Sequence, residues 1–196
     1  MFLVSPADIG SAAWRRMVQE ATLIPLTEAA ASPADHDLFG TGNGAGVRAT
    51  TLAWALTRRA AVTGLAALWV HGLVPGAATW RIDVAVPRGW HPDPPACATL
   101  RNWDWHSDSA ACESATVLAE VPVADAAHAA ITALRRADHA LAIPALAVAV
   151  RQGACSWGDV GNALSKHSRR GPGYDRMISA LLAVRAAIPG PAGALP

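Results

Sequence analysis

Thr63-Gly64-Leu65-Ala66-Ala67-Leu68-Trp69-Val70-His71-Gly72-Leu73, followed at once by Val74 to Thr79 and then by Trp80-Arg81-Ile82-Asp83-Val84-Ala85-Val86, is the stretch that decides the fold. In its first half Val62, Leu65, Ala66, Trp69 and Leu73 recur at the i, i+3, i+4 spacing of an amphipathic helix. Gly72 is the residue able to close the last turn in the left-handed conformation. The second half alternates as a strand does, with Trp80, Ile82, Val84 and Val86 on one face and Arg81 and Asp83 on the other. Pro87 cannot donate to a ladder, so pairing is expected to stop there. An apolar helical stripe beside an apolar strand face predicts a helix packed on a sheet, a scaffold and not a catalytic pocket.

The rest of the composition agrees with a folded core. The chain of 196 residues is 52% apolar and 16% charged, ample for burial. No apolar run is long enough to span a bilayer, and Met1-Phe2-Leu3-Val4-Ser5 lacks the basic flank and apolar length of a secretory signal. The chain therefore reads as cytoplasmic, with no membrane partner. Cys97, Cys112 and Cys155 are odd in number and irregular in spacing, which argues against a disulfide framework. The net charge of +1 excludes nothing, but its distribution is uneven. Up to Ala60, Arg15, Arg16, Arg48, Arg58 and Arg59 are cancelled by Asp8, Glu20, Glu28, Asp35 and Asp37. From Arg135 to Arg185, eight positive residues face only Asp138, Asp159 and Asp175, a formal excess of +5 that suits either phosphate or a solvated helix face.

Ser5-Pro6-Ala7-Asp8 has the cap, the N1 proline and the acidic residue of a helix start, so a helix is predicted to about Glu20. Thr22 to Leu26 is extended. Ser32-Pro33-Ala34-Asp35 repeats the same capping pattern. The glycines from Gly40 to Gly46 lead into a helix predicted over Val47 to about Arg58. They lack the preceding strand, the lysine and the distant acidic residue that a phosphate loop needs, and read as a connection. Further strands are expected around Ala98 to Trp105, with Trp103 and Trp105 opposite Asp104 and His106, and over Val117 to Ala119. Helices are expected from Asp125 to Arg136, from Pro144 to Gly153, from Ser156 to about Lys166, and from Tyr174 to Ala187. Apart from Leu195, residues 189–196 are proline, glycine and alanine, and read as a frayed tail. The sum is an α+β fold with a small, mainly antiparallel sheet, flanking helices and a C-terminal helical part. Residues 1–46 form a separate N-terminal segment and 47–188 the main domain.

Chemistry-bearing patterns are sparse. Cys97, His106 and Cys112 lie near one another in sequence, but no Cys-x2-Cys or His-x3-His pair fixes two zinc ligands from one turn. Asp125 and His128, three apart on a helix, can orient one another as carboxylate and imidazole, or simply touch on its surface. There is no Gly-x-Ser-x-Gly, no His-Glu-x-x-His and no Gly-Lys-[Ser/Thr]. The sequence implies neither an enzyme nor a cofactor. His71, at the end of its helix, reads as a capping or core-edge histidine. Trp14, Trp90, Trp103, Trp105 and Trp157 are not obviously inward, and exposed tryptophans serve either to stack on bases or to anchor a protein partner.

The run from Thr63 to Leu73, followed by Ile82-Asp83-Val84-Ala85-Val86-Pro87-Arg88-Gly89, resembles the central segment of AbiEi-like antitoxins of type IV toxin-antitoxin systems, common in actinobacteria. Val121-Pro122-Val123 before a helix, Arg151-Gln152-Gly153 closing the next, and Arg169-Arg170-Gly171 before the last are similar to that family too, and the resemblance spans about Thr50 to Val184. It implies a non-enzymatic transcriptional regulator acting on promoter DNA, with a nucleotidyltransferase-like toxin as genetic partner. The family's N-terminal winged helix is degenerate here. Trp14-Arg15-Arg16-Met17-Val18 stands in the place of a recognition helix and Leu23 to Leu26 in that of a wing. At Ala127-His128-Ala129-Ala130 the family tends to carry an Arg-Thr pair, and the nuclease-like extension of some relatives has no counterpart. The phosphate contacts expected on this reading are Arg15 and Arg16, or the group Lys166, Arg169, Arg170 and Arg176. The alternative is a protein-interaction module without DNA binding.

Overall fold

The computed structural model describes residues 4–20, 22–25, 30–33, 44–53, 56, 59–75, 81–91, 103–167 and 172–188. The Asp8 carboxylate accepts hydrogen bonds from the Ser5 backbone N–H and hydroxyl at 2.7 and 2.6 Å, as its spacing predicts. The helix it opens is short, because Gly10 takes φ +81° and divides it into α1 (Pro6–Ile9) and α2 (Ser11–Gln19). Strands β1 (Leu23–Pro25) and β2 (Ala31–Pro33) pair antiparallel, with Ile24 opposite Ser32. Ser32 and Pro33 thus belong to a strand and cap no helix, a correction to the repeat of the capping pattern; Ala34 and Asp35 lie outside the described residues. Helix α3 (Gly44–Thr50) begins within the glycine run and stops well short of Arg58.

The main sheet has five strands: β3 (Ala61–Thr63), β4 (Ile82–Val86), β5 (Trp103–Ser107), β6 (Thr116–Leu118) and β7 (Val121–Val123), in the order β5-β4-β3-β7-β6. It is mixed and not mainly antiparallel. The β3–β4 and β6–β7 pairs are antiparallel, whereas β4–β5 and β3–β7 are parallel. The parallel pairings join segments distant in sequence, which no local pattern announces.

The deciding stretch opens differently from its helical reading. Ala61, Val62 and Thr63 are the central strand, and Gly64 at φ +61° turns the chain directly into α4 (Gly64–Val70) without a loop. Every residue of α4 is buried, so the helix is not amphipathic; it lies between the sheet and α6 (Ala126–Arg136). Gly72, at φ +80°, does close the turn after it. Arg48 donates two hydrogen bonds to the Val70 carbonyl, at 3.1 and 2.9 Å, satisfying one of the orphan acceptors at that helix end. The His71 Nε2–H donates to the Ala124 carbonyl at 2.8 Å and ties the same end to the start of α6.

Helix α6 is the hub of the C-terminal part. Asp125 caps it by accepting from the His128 N–H at 2.8 Å, and Ala126 through Leu134 are buried. Its alanines let α4, α7 (His139–Arg151), α8 (Trp157–Lys166) and α9 (Tyr174–Ala187) approach it closely. Helix α7 starts at His139, capped by Asp138, and contains Pro144 in its interior instead of starting there. Helices α8 and α9 fall where their caps and apolar spacing place them. No helix among the described residues is long and apolar enough to cross a membrane.

Candidate functional site

On one face of the sheet two carboxylates are brought together by the parallel pairing. Asp83 of β4 and Asp104 of β5 are register partners. Arg136, the last residue of α6, reaches both: its Nε donates to Asp83 Oδ1 at 3.1 Å and its Nη2 to Asp104 Oδ2. Arg81 adds a second ion pair to Asp104 at 2.7 Å. Asp83 is only 4% exposed, so the alternation that puts it on the polar side of the strand is right, but that side faces protein and not water. Burial outweighs the neighbouring guanidinium and pushes the Asp83 carboxyl up to about 6. Arg136 is itself part-buried, which opposes its charge, but the two carboxylates hold its proton more firmly still.

Beside this network, at the carboxyl ends of the parallel strands β4 and β5, the protein opens a cleft of about 410 Å³. Open sheets tend to bind ligands at that end of their parallel strands. The lining comes from four places: Arg88 after β4; His106 to Ala110, from the end of β5 into α5 (Ser109–Glu113); Thr132, Arg135 and Arg136 of α6; and Lys166, His167 and Pro172. Among the described residues, four cations and one carboxylate, Asp108, surround the space. Arg136 is committed to Asp83 and Asp104. Arg135 donates from Nε to the Pro172 carbonyl at 3.2 Å. Arg88 and Lys166 have no ion-pair partner among the described residues.

The floor of the cleft is polar and buried. Among the described residues His106 has no hydrogen-bond partner on either ring nitrogen, and its burial next to Arg136 pulls it down to about 4, so the ring is neutral. His167 Nδ1 lies 3.5 Å from Asp108 Oδ2, while its Nε2 and the Thr132 hydroxyl are buried with no partner among the described residues. Burial lowers His167 below its ordinary value despite Asp108. The His128 ring stands 6.2 Å from that of His167 and meets the Asp125 carboxylate through Nδ1 at 3.0 and 3.1 Å. Although burial opposes its charge, Asp125 is held below the usual carboxylate range by those bonds. The Asp125–His128 pair expected from spacing therefore forms, with the histidine buried and not on a helix surface.

Of the three zinc candidates, Cys97 lies outside the described residues; among the described residues no group of three or more His, Cys, Asp or Glu is placed to hold a metal, and burial pushes the Cys112 thiol up to about 11.

Of the expected phosphate contacts, Lys166 lines the cleft. Arg176 is instead used for structure, donating to the Arg135 and Ala137 carbonyls at the end of α6. Arg15 bonds the Ser11 carbonyl of its own helix, and Arg16 pairs with Glu20 in solvent at 3.7 Å; neither lines the cleft. Arg169 and Arg170 lie outside the described residues. Trp157 is buried, its indole N–H bonded to the Ile188 carbonyl at 3.1 Å, which removes it from the exposed set. Trp90, Trp103 and Trp105 are half-buried and form a ring cluster against the core, with the Trp105 centroid 6.3 Å from those of both Trp90 and Trp103. Arg88, Thr132, Arg135, Arg136 and His167 escaped sequence reasoning as site residues. Only the excess of positive charge after Arg135 pointed toward any of them.

No family model matches the chain, and no curated protein matches it.

Proposed function

We propose that this chain is a non-enzymatic regulatory protein of the AbiEi-like antitoxin kind, which grips promoter DNA by its phosphates and has a nucleotidyltransferase-like toxin as its genetic partner. The observation that carries the DNA reading is the cation set around the cleft: Arg88, Arg135 and Lys166, with Asp108 the one carboxylate among the described lining residues. Lys166 and Pro172, both on that cleft, also bracket Arg169 and Arg170 in sequence. Arg15 and Arg16 contribute less to this reading, being tied within their own helix. The half-buried tryptophans favour packing over base stacking, so affinity is expected to come from charge.

The test is fluorescence anisotropy of the purified protein on its own promoter duplex across a salt series. On this reading log K falls linearly with log salt, by about 0.9 for each phosphate neutralised. Duplex binding that ignores salt, or no binding, overturns it. Capture of a protein partner that survives high salt, in the absence of DNA binding, favours the interaction module instead. Co-expression with the neighbouring reading frame tests the toxin partner by relief of growth arrest.

A further inference from the structure

We propose that the outer face of α7 is the surface on which two copies of this chain pair, helix against helix and antiparallel. The composition of that helix is the first reason. From Ala140 to Val150, eleven residues in a row are apolar. A helix apolar on every side is ordinarily covered on every side. Helix α7 is covered on one side, where Ala142, Ala145, Leu146 and Ala149 are buried and α4, α6 and α9 pack on it. On the other side Ala140, Leu141 and Pro144 are exposed, Leu141 at 42%, and Ala147 and Val148 are partly exposed. Leu141, Pro144 and Val148 follow the spacing of a single helical stripe, so this is one continuous apolar face.

The charges at its ends say what covers it. Asp138 stands just before the stripe and Arg151 at its close, both exposed, and neither has an ion-pair partner among the described residues. Asp138 uses Oδ1 to cap the Ala140 N–H at 2.9 Å, which leaves Oδ2 to accept from elsewhere. Leu141 follows Asp138 by three residues, and Val148 precedes Arg151 by three. An antiparallel second copy that sets its Val148 against Leu141 therefore brings its Arg151 level with Asp138. The two-fold axis, level with Pro144, repeats both contacts at the other end, as a self-complementary interface must. A parallel pairing would set aspartate beside aspartate and arginine beside arginine. Antiparallel helices also oppose their dipoles favourably.

One helix pair buries less than a standard interface, so the dimer is expected to be weak. No residue of α7 lines the cleft, and the pairing stands whether or not the duplex reading above holds.

The test is sedimentation equilibrium of the DNA-free protein from about 5 to 500 μM, with half-association expected between about 10 and 200 μM. Leu141→Lys enters a two-fold interface twice and is expected to weaken association at least about tenfold, while its melting temperature stays that of the native chain because the side chain is exposed. Arg151→Glu or Asp138→Lys alone sets like charges together at both ends, and each is expected to be monomeric. An equal mixture of the two restores dimers, because a mixed pair has the native ion pair at one end and the two introduced charges, opposite in sign, at the other. Asp138→Lys gives up the cap on Ala140; Asp138→Asn keeps a cap, drops the charge and is expected to weaken association several-fold, which separates the ion pair from the cap. A chain monomeric to about 500 μM, a dimer indifferent to Leu141→Lys, or association unchanged by Arg151→Glu and Asp138→Asn would overturn the proposal.

Discussion

Asp83 and Asp104 face one another across two parallel strands at a single register position, and one guanidinium from the end of α6 holds both. Two carboxylates this close repel unless a cation lies between them, so Arg136 links the sheet to the helical part by necessity of charge. Replacing it by methionine keeps much of the volume, leaves Asp83 unmatched and leaves Asp104 with Arg81 alone. Arg136→Met is expected to cost about 2–4 kcal/mol near neutral pH, below the figure for a fully buried pair because Arg136 and Asp104 keep some contact with water. Without the cation the Asp83 carboxyl, already raised by burial, is pushed up further, so the deficit is largest at pH values above it and shrinks as pH falls toward the unfolded value. Urea titrations at neutral and acid pH check this; an equal loss at both would assign the effect to packing.

Two buried groups oppose each other in their response to acid. Asp83 rises from 3.8 to about 6, so between those values the folded state holds a proton the unfolded chain lacks, and stability grows as pH falls through the window. His106 drops from 6.5 to about 4, so the unfolded chain takes up the proton first, and stability is lost as pH falls through nearly the same window. Each is worth up to about 3 kcal/mol, so the two offset one another, while His167, also lowered by burial, adds to the loss on acidification. Asp83→Asn is expected to make the protein acid-sensitive from about pH 6 downward, and His106→Phe to make it gain stability on acidification over that range. Thermal melts in pH steps read the two slopes; parallel profiles for native and variants would refute the compensation.

Gly64 allows no side chain. A Cβ there would lie 2.6 Å from Asp83 Oδ2 and 3.2 Å from both Asp83 Cβ and Cγ, and φ is +61°. Gly64→Ala is expected to destabilise by about 2–4 kcal/mol from strain and overpacking combined. In an Asp83→Ala background the Oδ2 and Cγ contacts are gone and the penalty is expected to drop, which a double-mutant cycle measures. An unchanged penalty would leave backbone strain as the whole cause.

Pro144 sits in the interior of α7, exposed, where a residue with an N–H would add a backbone hydrogen bond. Pro144→Ala is expected to stabilise by about 1–3 kcal/mol in urea denaturation. A loss instead would show that the proline shapes how α7 lies on α6.

The elements legible in the sequence are those with a cap and a period. Tyr174 to Ala187 is the helix its spacing predicts, but of the expected inward set Met177, Ile178, Leu181 and Leu182 only Met177 and Leu181 are buried, with Ala180 and Val184 beside them and Leu182 exposed; Asp125 and Ser156 cap their helices as expected. The alternation at Trp103 to His106 also survives, with the tryptophans on the side opposite Asp104 and the histidine. What escaped was non-local or too short. Ala61 to Thr63 and Val121 to Val123 are three-residue strands, and the first runs straight into a helix that is apolar on every side, so a helical period fits the whole run. Alternation placed Asp83 on the face opposite Ile82 and Val84, but it tells which face a residue occupies, not what covers that face. The cleft draws on residues from Arg88 to Pro172, and nothing in their separate neighbourhoods announces that they meet.

Helix α4 has no side that tolerates water, and part of its cover is α6, which emerges from the ribosome only after β4, β5, β6 and β7. A nascent chain halted anywhere in that interval presents a bare greasy rod, prone to clump and fit for chaperones or proteases. Truncation from the C-terminal side is thus all or nothing: a fragment that ends before Leu134 is debris, not a smaller working protein.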